Sequence, residues 1–406
     1  MKFISLLLLL LLCLNASAKN KKINTGKWHT EFQLSETAIL PVTFDLVKVK
    51  KSYVLYVINA EERIALNNIK IVADSIFIPF TTFDSELKAK INSKNNITGI
   101  WYNYSKGADY KIPFISKNGS YARFPNSTSN ISVSGKWEVT FDYNNDPEKA
   151  IGLFEHLTAC VDCPEIKGTF LTETGDYRFL EGTISNDSLY LSTFDGSHAF
   201  LFRAQLTNDT LWGDFLSGSH YKTNWYAVKN LNFELAHPDS LTYLVNDNPI
   251  QLSLPDLNNQ LYTYPNSTTR NKVTLIQIMG TWCPNCLDES RYLAEVKKKY
   301  RDQLEIISVS FEMEPSLESK IAKVKRYKEE LDLDFTFLIG GKACKPCAAN
   351  LFPMLNNVIS FPTLLFIDKK GNTRKIHTGF SGPGTGLYYE TFVKETNAFI
   401  EALIQE

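Results

Sequence analysis

The pattern of hydrophobic and polar residues changes near residue 245 and divides the chain into two regions. Before that point, apolar and polar residues alternate in short runs such as 53–58 and 75–78, bounded by Asn, Asp, Gly and Ser. Alternation with a period of two predicts half-buried β-strands. Helical periodicity is scarce here, and 146–156 is the best candidate for a short helix. We therefore predict an all-β N-terminal region.

The β region contains an internal repeat. The sequence Gly-Lys-Trp at 26–28 recurs at 135–137, and the segment 74–78 recurs as 187–191. Such a repeat predicts two similar antiparallel β units, which form two small barrels or sandwiches or one merged sheet system. We place the first unit at 19–134 and the second at 135–240, and the Ser- and Asn-rich stretch 126–134 is the predicted linker.

After residue 245, buried strand-like runs alternate with helix-like segments. The predicted elements are strands at 273–279, 304–311, 335–339, 363–368 and 373–377, and helices at 286–300, 317–331, 346–357 and 390–403. Such alternation implies a mainly parallel central sheet with flanking helices, which here ends in a hairpin. The predicted fold class is therefore multidomain, with a duplicated all-β region followed by an α/β domain at 245–406.

Residues 1–18 have the composition of a secretory signal peptide. Lys2 precedes the apolar run 3–14, and small residues follow it. This pattern predicts cleavage after Ala18, and an uncleaved membrane anchor is the alternative. Cys13 then belongs to the discarded peptide. The chain has 43 Lys plus Arg against 44 Asp plus Glu, so its charge gives no reason to expect nucleic-acid binding.

The other six cysteines form three C-x-x-C pairs, namely Cys160 with Cys163, Cys283 with Cys286, and Cys344 with Cys347. In an exported protein, such pairs indicate disulfides or redox chemistry. Two pairs could also make a four-thiolate zinc site, but their separation along the chain does not match that of a compact zinc ribbon. No two histidines have the spacing of metal ligands, so we predict no metal site and no cofactor.

Cys283 and Cys286 lie where the first buried strand is predicted to turn into a helix. Unpaired backbone N–H groups and the positive end of the helix dipole favour a thiolate at Cys283. Pro284 suits the first helical turn, where its missing N–H has no cost. Residues three apart on a helix are roughly 5–6 Å apart, a span that a disulfide can bridge. We predict that Cys283 is a redox nucleophile and Cys286 the resolving thiol, with an inert disulfide as the alternative.

Four segments carry a resemblance to a known family. They are 252–257, the redox motif Trp-Cys-Pro-Asn-Cys at 282–286, Phe-Pro-Thr at 361–363, and 367–371. Through them, residues 249–406 resemble the thioredoxin-fold disulfide reductases of the TlpA and ResA group. The resemblance implies a thioredoxin-like fold for the C-terminal domain.

The resemblance also implies roles for single residues. It implies that Cys283 attacks the substrate and that Pro362 has a cis peptide bond beside the cysteines. From the local sequence alone, a trans proline at a strand start is the alternative. A proton-transfer role toward Cys286 is implied for Glu312, which otherwise is a solvated loop residue.

The layout of two β units before such a domain is similar to that of proteins from Bacteroidetes-type bacteria, from which no role for the β part carries over. Peroxiredoxins of the AhpC/TSA type belong to the same superfamily and place Thr three residues before a lone peroxidatic Cys. Here Gly280 holds that position. A thiol peroxidase is therefore a disfavoured alternative.

The two remaining cysteine pairs have less distinctive surroundings. Cys344 and Cys347 follow the third predicted strand and open a helix, so they form either a stabilising disulfide, which we favour, or a second exchange site. Cys160 and Cys163 lie in a loop of the β region, where no helix start activates a thiol. We predict a structural disulfide there.

Together these features predict a periplasmic thiol–disulfide oxidoreductase that reduces protein disulfides. Because the compartment is oxidising, a reducing role requires an outside donor, which by resemblance is a membrane thiol-electron carrier. Membrane contact is then expected only through that donor. A second hypothesis is a ligand- or partner-binding β protein whose thioredoxin-like module is redox-inert.

Overall fold

The structure, a computed structural model, describes residues 20–119, 122–124, 131–157 and 165–406. The predicted signal peptide, part of the predicted linker and the pair Cys160 and Cys163 lie outside these residues. None of the helices in the described part of the chain combines the length and the apolar content that crossing a membrane requires.

The first β unit is one open antiparallel sheet. Its strands are β1 Gly26–Ser35, β2 Ala38–Val49, β3 Ser52–Asn59, β4 Glu62–Leu66, β5 Lys70–Val72, β6 Ser75–Phe80, β7 Ser85–Ser93, β8 Asn96–Asn103 and β9 Lys111–Asn118. Their order in the sheet is β4-β3-β2-β1-β9-β8-β7-β6-β5. Along β6, Ile76, Ile78 and Phe80 are buried and the residues between them are less so, which is the alternation that predicted this strand.

The second β unit is a closed barrel. Its strands are β10 Gly135–Phe141, β11 Glu148–His156, β12 Ile166–Thr172, β13 Gly175–Asp176, β14 Leu180–Ser185, β15 Ser188–Phe194, β16 Ala199–Thr207, β17 Thr210–Ser217 and β18 Tyr221–Lys229. The sheet closes because β11 pairs with both β10 and β12. Eight strands form the ring, and the short β13 extends from the end of β12.

The prediction of a helix at 146–156 is wrong, because this segment forms β11, Glu148–His156. The strand has a hydrogen-bonded neighbour on each side, and Ala150, Ile151 and Phe154 are buried. Pairing with two strands and burial in the barrel outweigh the weak local preference of the segment.

The two units repeat the same construction. Trp28 and Trp137 open their units, and each indole Nε1 donates to the main-chain oxygen four residues earlier, that of Asn24 at 3.2 Å and that of Val133 at 2.7 Å. The run β1-β9-β8-β7-β6 in the first sheet corresponds to β10-β18-β17-β16-β15 in the second. The predicted duplication therefore exists in the strand order, although only the second unit closes into a barrel.

The two β units share a hydrophobic core. Phe194, at the end of β15, stacks on Phe32 of the first unit with ring centroids 4.6 Å apart. The Asn59 side chain donates to the Phe194 main-chain oxygen at 2.9 Å, and that of Asn103 donates to the oxygen of Ser197 at 3.1 Å. The β region is therefore one packed body that contains two sheets.

The C-terminal domain is a five-stranded mixed sheet with helices around it. Its elements are α1 Pro238–Leu241, β19 Leu252–Pro255, β20 Leu261–Tyr264, β21 Val273–Met279, α2 Pro284–Tyr300, β22 Leu304–Glu312, α3 Leu317–Glu330, β23 Thr336–Lys342, α4 Lys345–Leu351, β24 Thr363–Ile367, β25 Thr373–Thr378 and α5 Leu387–Gln405. The sheet order is β23-β22-β21-β24-β25. Strands β21, β22 and β23 are parallel, and β24 and β25 run antiparallel to their neighbours.

The central strand β21 is buried along its whole length. Leu275 joins a cluster that includes α2, α3 and α5 residues, and Ile276 joins a second cluster that includes Phe352. A strand buried on both faces explains the continuous apolar run in the sequence. The helix predicted at 346–357 is shorter than expected and ends at Leu351, because Pro353 has no N–H and disfavours a helical residue before it.

Candidate functional site

The predicted redox pair lies at the turn between β21 and α2. Cys283 is the N-cap residue of α2, and Pro284 takes the first helical position. The main-chain N–H of Cys286 donates to the Sγ of Cys283 at 3.2 Å. Both cysteines are free thiols and both are buried. The helix N-terminus therefore presents a hydrogen-bond donor to the Cys283 sulfur, as a thiolate requires.

The loop before β24 forms a second side of the site. The peptide bond between Phe361 and Pro362 is cis, as the resemblance implied. The thiol of Cys283 donates to the main-chain oxygen of Phe361 at 3.4 Å. Trp282 packs edge-on against the Phe361 ring, with centroids 5.6 Å apart. Cys283 thus contacts the proline loop, although the two segments are distant in sequence.

Glu312 is the last residue of β22 and is 1% exposed, so it is not a solvated loop residue. Its carboxylate accepts hydrogen bonds from the Thr281 N–H at 2.9 Å, from the Thr281 hydroxyl at 2.7 Å, and from Ser310. Burial raises the pKa of Glu312 to about 6, against the opposing effect of these hydrogen bonds. Glu312 therefore fixes the segment that leads into Cys283, and its role in proton transfer stays a prediction.

Glu289 is a second buried carboxyl group, and the sequence reasoning missed it. It lies on α2, three residues after Cys286. Side chains three residues apart on a helix are neighbours, so this spacing is the signal in the sequence that could have identified Glu289. Burial raises the pKa of Glu289 to about 8, opposed by a hydrogen bond from Gln277 at 2.9 Å. Among the described residues, none bonds to its Oε1 atom. The carboxyl group therefore gains and loses its proton just above neutral pH, and only its ionised form can act as a base.

The pKa of Cys286 is raised well above its ordinary value. Burial is the main cause, followed by the hydrogen bond and the charge of Cys283, and the charge of Glu289 adds to the effect. Cys286 thus keeps its proton, whereas the sulfur of Cys283 lies at the helix N-terminus and accepts a backbone N–H there. This asymmetry is the one that a nucleophile and a resolving thiol need.

Cys344 and Cys347 form a disulfide, with Cα atoms 5.1 Å apart. Cys344 is the N-cap residue of α4, just after β23. Because β21 and β23 are both parallel to β22, their carboxyl ends lie at one edge of the sheet, so this disulfide is on the same side as Cys283. Its stabilising role stays a prediction. Cys160 and Cys163 lie outside the described residues.

The second β unit packs directly on the redox site. Arg178, which follows β13, is buried and donates to the Asp288 carboxylate on α2 and to the Pro284 main-chain oxygen at 3.4 Å. The main-chain oxygen of Thr174, in the hairpin between β12 and β13, accepts from the Ser360 hydroxyl at 2.9 Å. A cleft of about 560 Å³ over Cys283 lies between the β units and the C-terminal domain.

Comparison with protein families identifies the C-terminal domain. Residues 244–388 match the Redoxin family model. This chain carries a Redoxin domain. The sheet order and the helix that starts at Cys283 agree with the predicted thioredoxin-like fold, which is confirmed. The β units lie outside the matched range.

Curated relatives match the same part of the chain. The thioredoxin-like protein YneN of Bacillus subtilis is 30% identical over 110 residues, which are 27% of this chain and 58% of that protein. The thiol-disulfide oxidoreductase ResA of Geobacillus kaustophilus is 32% identical over 114 residues, 28% of this chain and 58% of its own length. The chain thus spans less than two thirds of either relative.

Solved structures align with the Redoxin domain at low identity. A thiol:disulfide interchange protein of the thioredoxin family from Chlorobium tepidum is 15% identical and covers 39% of this chain and 98% of its own, with a TM-score of 0.30.

Proposed function

We propose that this protein is an exported thiol–disulfide oxidoreductase that reduces protein disulfides through Cys283 and Cys286. The observation that carries the proposal is the position of the Cys283 sulfur, which accepts the Cys286 N–H at the start of α2. The cis-proline loop lies beside it, with the Phe361 oxygen 3.4 Å from the same sulfur. The similarity of the Redoxin domain to a relative named as a thiol-disulfide oxidoreductase supports the same chemistry.

The reaction follows from the asymmetry of the two thiols. The Cys283 thiolate attacks one sulfur of the substrate disulfide, and the other substrate sulfur leaves as a thiolate that takes a proton. The mixed disulfide is then attacked by Cys286, after it loses its proton. This step releases the reduced substrate and leaves a Cys283–Cys286 disulfide. Two electrons have passed from the dithiol to the substrate, so an external dithiol donor must restore the protein.

Two buried carboxyl groups are candidates to take the proton of Cys286. Glu289 is on the same helix and its charge raises the pKa of Cys286, and its own pKa of about 8 suits proton exchange near neutrality. Glu312 lies at the end of the neighbouring strand and bonds to Thr281. We propose the ionised carboxylate of Glu289 as the main acceptor, which becomes the neutral acid when it takes the proton, and the predicted role of Glu312 is tested beside it.

The cellular setting is also part of the proposal. The composition of residues 1–18 supports export to the periplasm with cleavage after Ala18. An oxidising compartment allows the Cys344–Cys347 disulfide to persist. A reducing role there requires a membrane thiol-electron carrier as the donor, so we propose such a protein as the partner.

Reduction of an unstructured peptide closed by a single disulfide, with dithiothreitol as the electron source, tests the proposed activity. The wild-type protein is expected to accelerate reduction of this peptide, and Cys283→Ser is expected to lose this acceleration. Unchanged activity in Cys283→Ser would refute the enzyme proposal and favour a binding protein. Hydrogen peroxide in place of the peptide tests the peroxidase alternative, which gains support only from peroxide consumption that depends on Cys283.

A further inference from the structure

The hairpin between β12 and β13 lies unusually close to the segments around Cys283. A Cβ atom on Gly175 would lie 1.9 Å from the side-chain nitrogen of Asn285, the residue just before Cys286. A Cβ atom on Gly379 would lie 2.7 Å from the Thr174 main chain. Both glycines have positive φ angles, +157° and +77°. Because neither Gly175 nor Gly379 has a side chain, the hairpin and the Redoxin domain can approach each other this closely.

Polar contacts hold the hairpin in this position. Thr174 accepts from Ser360, two residues before the cis proline, and the Asp176 carboxylate accepts from the Gly382 N–H at 2.5 Å. Gly379, which packs against Thr174 of the hairpin, donates its N–H to the main-chain oxygen of Pro362 at 2.9 Å. The hairpin is thus bonded to the loop before β24 and to the segment after β25, which both flank the proline loop.

The β units therefore form the outer walls of the cleft over Cys283. Its floor includes Trp282 and Phe361, the second β unit contributes His198 and Phe200, and the first contributes Ser105 and Lys106. Cys283 itself is only 6% exposed. A flat protein surface cannot reach a sulfur that lies beneath walls on several sides.

The size and lining of the cleft define what can enter. Its volume of about 560 Å³ falls within the ~300–1,000 Å³ typical of pockets that enclose a small ligand. Aromatic rings, hydroxyl groups and charged groups all line the cleft, which suits both the side chains and the amide groups of a peptide. A few residues of extended chain fit such a space, whereas a folded domain does not.

We infer that the β units restrict this enzyme to disulfides carried by short, flexible peptide segments, and exclude disulfides on the surface of folded proteins. The inference rests on the proposed function, because it names the substrate class of the same site. It also assigns the β region a role in selectivity.

A comparison of the rates at which the protein reduces two substrates tests the inference. One is an unstructured peptide closed by a single disulfide, and the other is a stably folded protein with one surface disulfide. Each rate of reduction by the wild-type protein is divided by the rate for the same substrate with dithiothreitol alone, which removes differences in intrinsic reactivity. We expect the normalised rate for the peptide to exceed that for the folded protein by at least tenfold.

A cleft-filling variant supplies the second arm. Ser105→Trp places a large ring in the wall that the first β unit contributes, and Lys106→Trp is the alternative if the first variant does not fold. We expect kcat/KM for the peptide to fall at least tenfold, while labelling of Cys283 by the much smaller iodoacetamide is retained. Ser52→Trp, at an exposed position of the same β unit, is the matched control and should behave as the wild type.

The outcomes separate the two proposals. Equal normalised rates for peptide and folded protein, or full peptide activity in a folded cleft-filling variant, would overturn the selectivity inference and leave the oxidoreductase proposal intact. Failure of the wild-type protein to reduce either substrate would overturn both.

Discussion

Arg178 of the second β unit forms a buried ion pair with Asp288 on the helix that carries Cys286. The same guanidinium pairs with Glu62 of the first β unit and lies 3.5 Å from Asp195. All four side chains are at most 11% exposed. One cation therefore connects both β units to the redox helix. It compensates the buried negative charges of Asp288, Glu62 and Asp195.

Arg178→Met should destabilise the protein strongly, because it leaves buried carboxylates without their cation. Removal of one partner of a buried pair costs about 3–5 kcal/mol. Urea unfolding measures the change. Arg291→Met is the matched control, since Arg291 pairs with the same Asp288 but is 53% exposed, and its loss should cost no more than about 1 kcal/mol. Equal effects of the two variants would contradict the central role of Arg178.

Glu289→Gln should lower the pKa of Cys286, because it removes one of the negative charges that raise it. Ultraviolet absorbance of the thiolate, recorded during a pH titration of a Cys283→Ser background, measures the change. Glu312→Gln serves as the comparison, since its carboxylate bonds to Thr281 and Ser310. A larger shift in Glu312→Gln than in Glu289→Gln would assign the proton-transfer role to Glu312 instead.

Glu289 should also make stability depend on pH. Its pKa is about 8 in the folded protein against an ordinary value of 4.5, so the folded state binds more protons than the unfolded state between these limits. This contribution to stability is complete below about pH 4.5 and is lost as the pH rises through 8. The unfolding free energy of the wild type, compared with that of Glu289→Gln, should therefore decline across this range. A constant difference between the two proteins would contradict the shifted pKa.

Simultaneous replacement of Cys344 and Cys347 by Ser should have a small effect. A disulfide that closes so short a loop restricts the unfolded chain little, and we expect a loss of about 2 kcal/mol or less. Reduction of the peptide disulfide should be retained, because the Cys344–Cys347 disulfide is predicted to be structural. Loss of activity with retained folding would show that this pair is a second exchange site, as its place at the same edge of the sheet allows.

The local features of the redox site could be predicted from sequence, because a buried strand, a helix start and two cysteines are close in the chain. The contact of Arg178 with Asp288 joins residues 110 positions apart, and no local pattern encodes it. The closure of the barrel could not be predicted from a local pattern either, since it depends on the pairing of β11 with both β10 and β12. Glu289 was missed although its spacing from Cys286 was visible, because burial of a carboxyl group is decided by tertiary packing.

Trapping the mixed disulfide shows which sulfur attacks the substrate. The Cys286→Ala variant is incubated with a peptide disulfide, and mass spectrometry of the digested adduct locates the attached peptide. We expect attachment at Cys283 and nowhere else in the chain. Attachment at Cys344 or Cys347, or no adduct from a folded variant, would contradict this expectation.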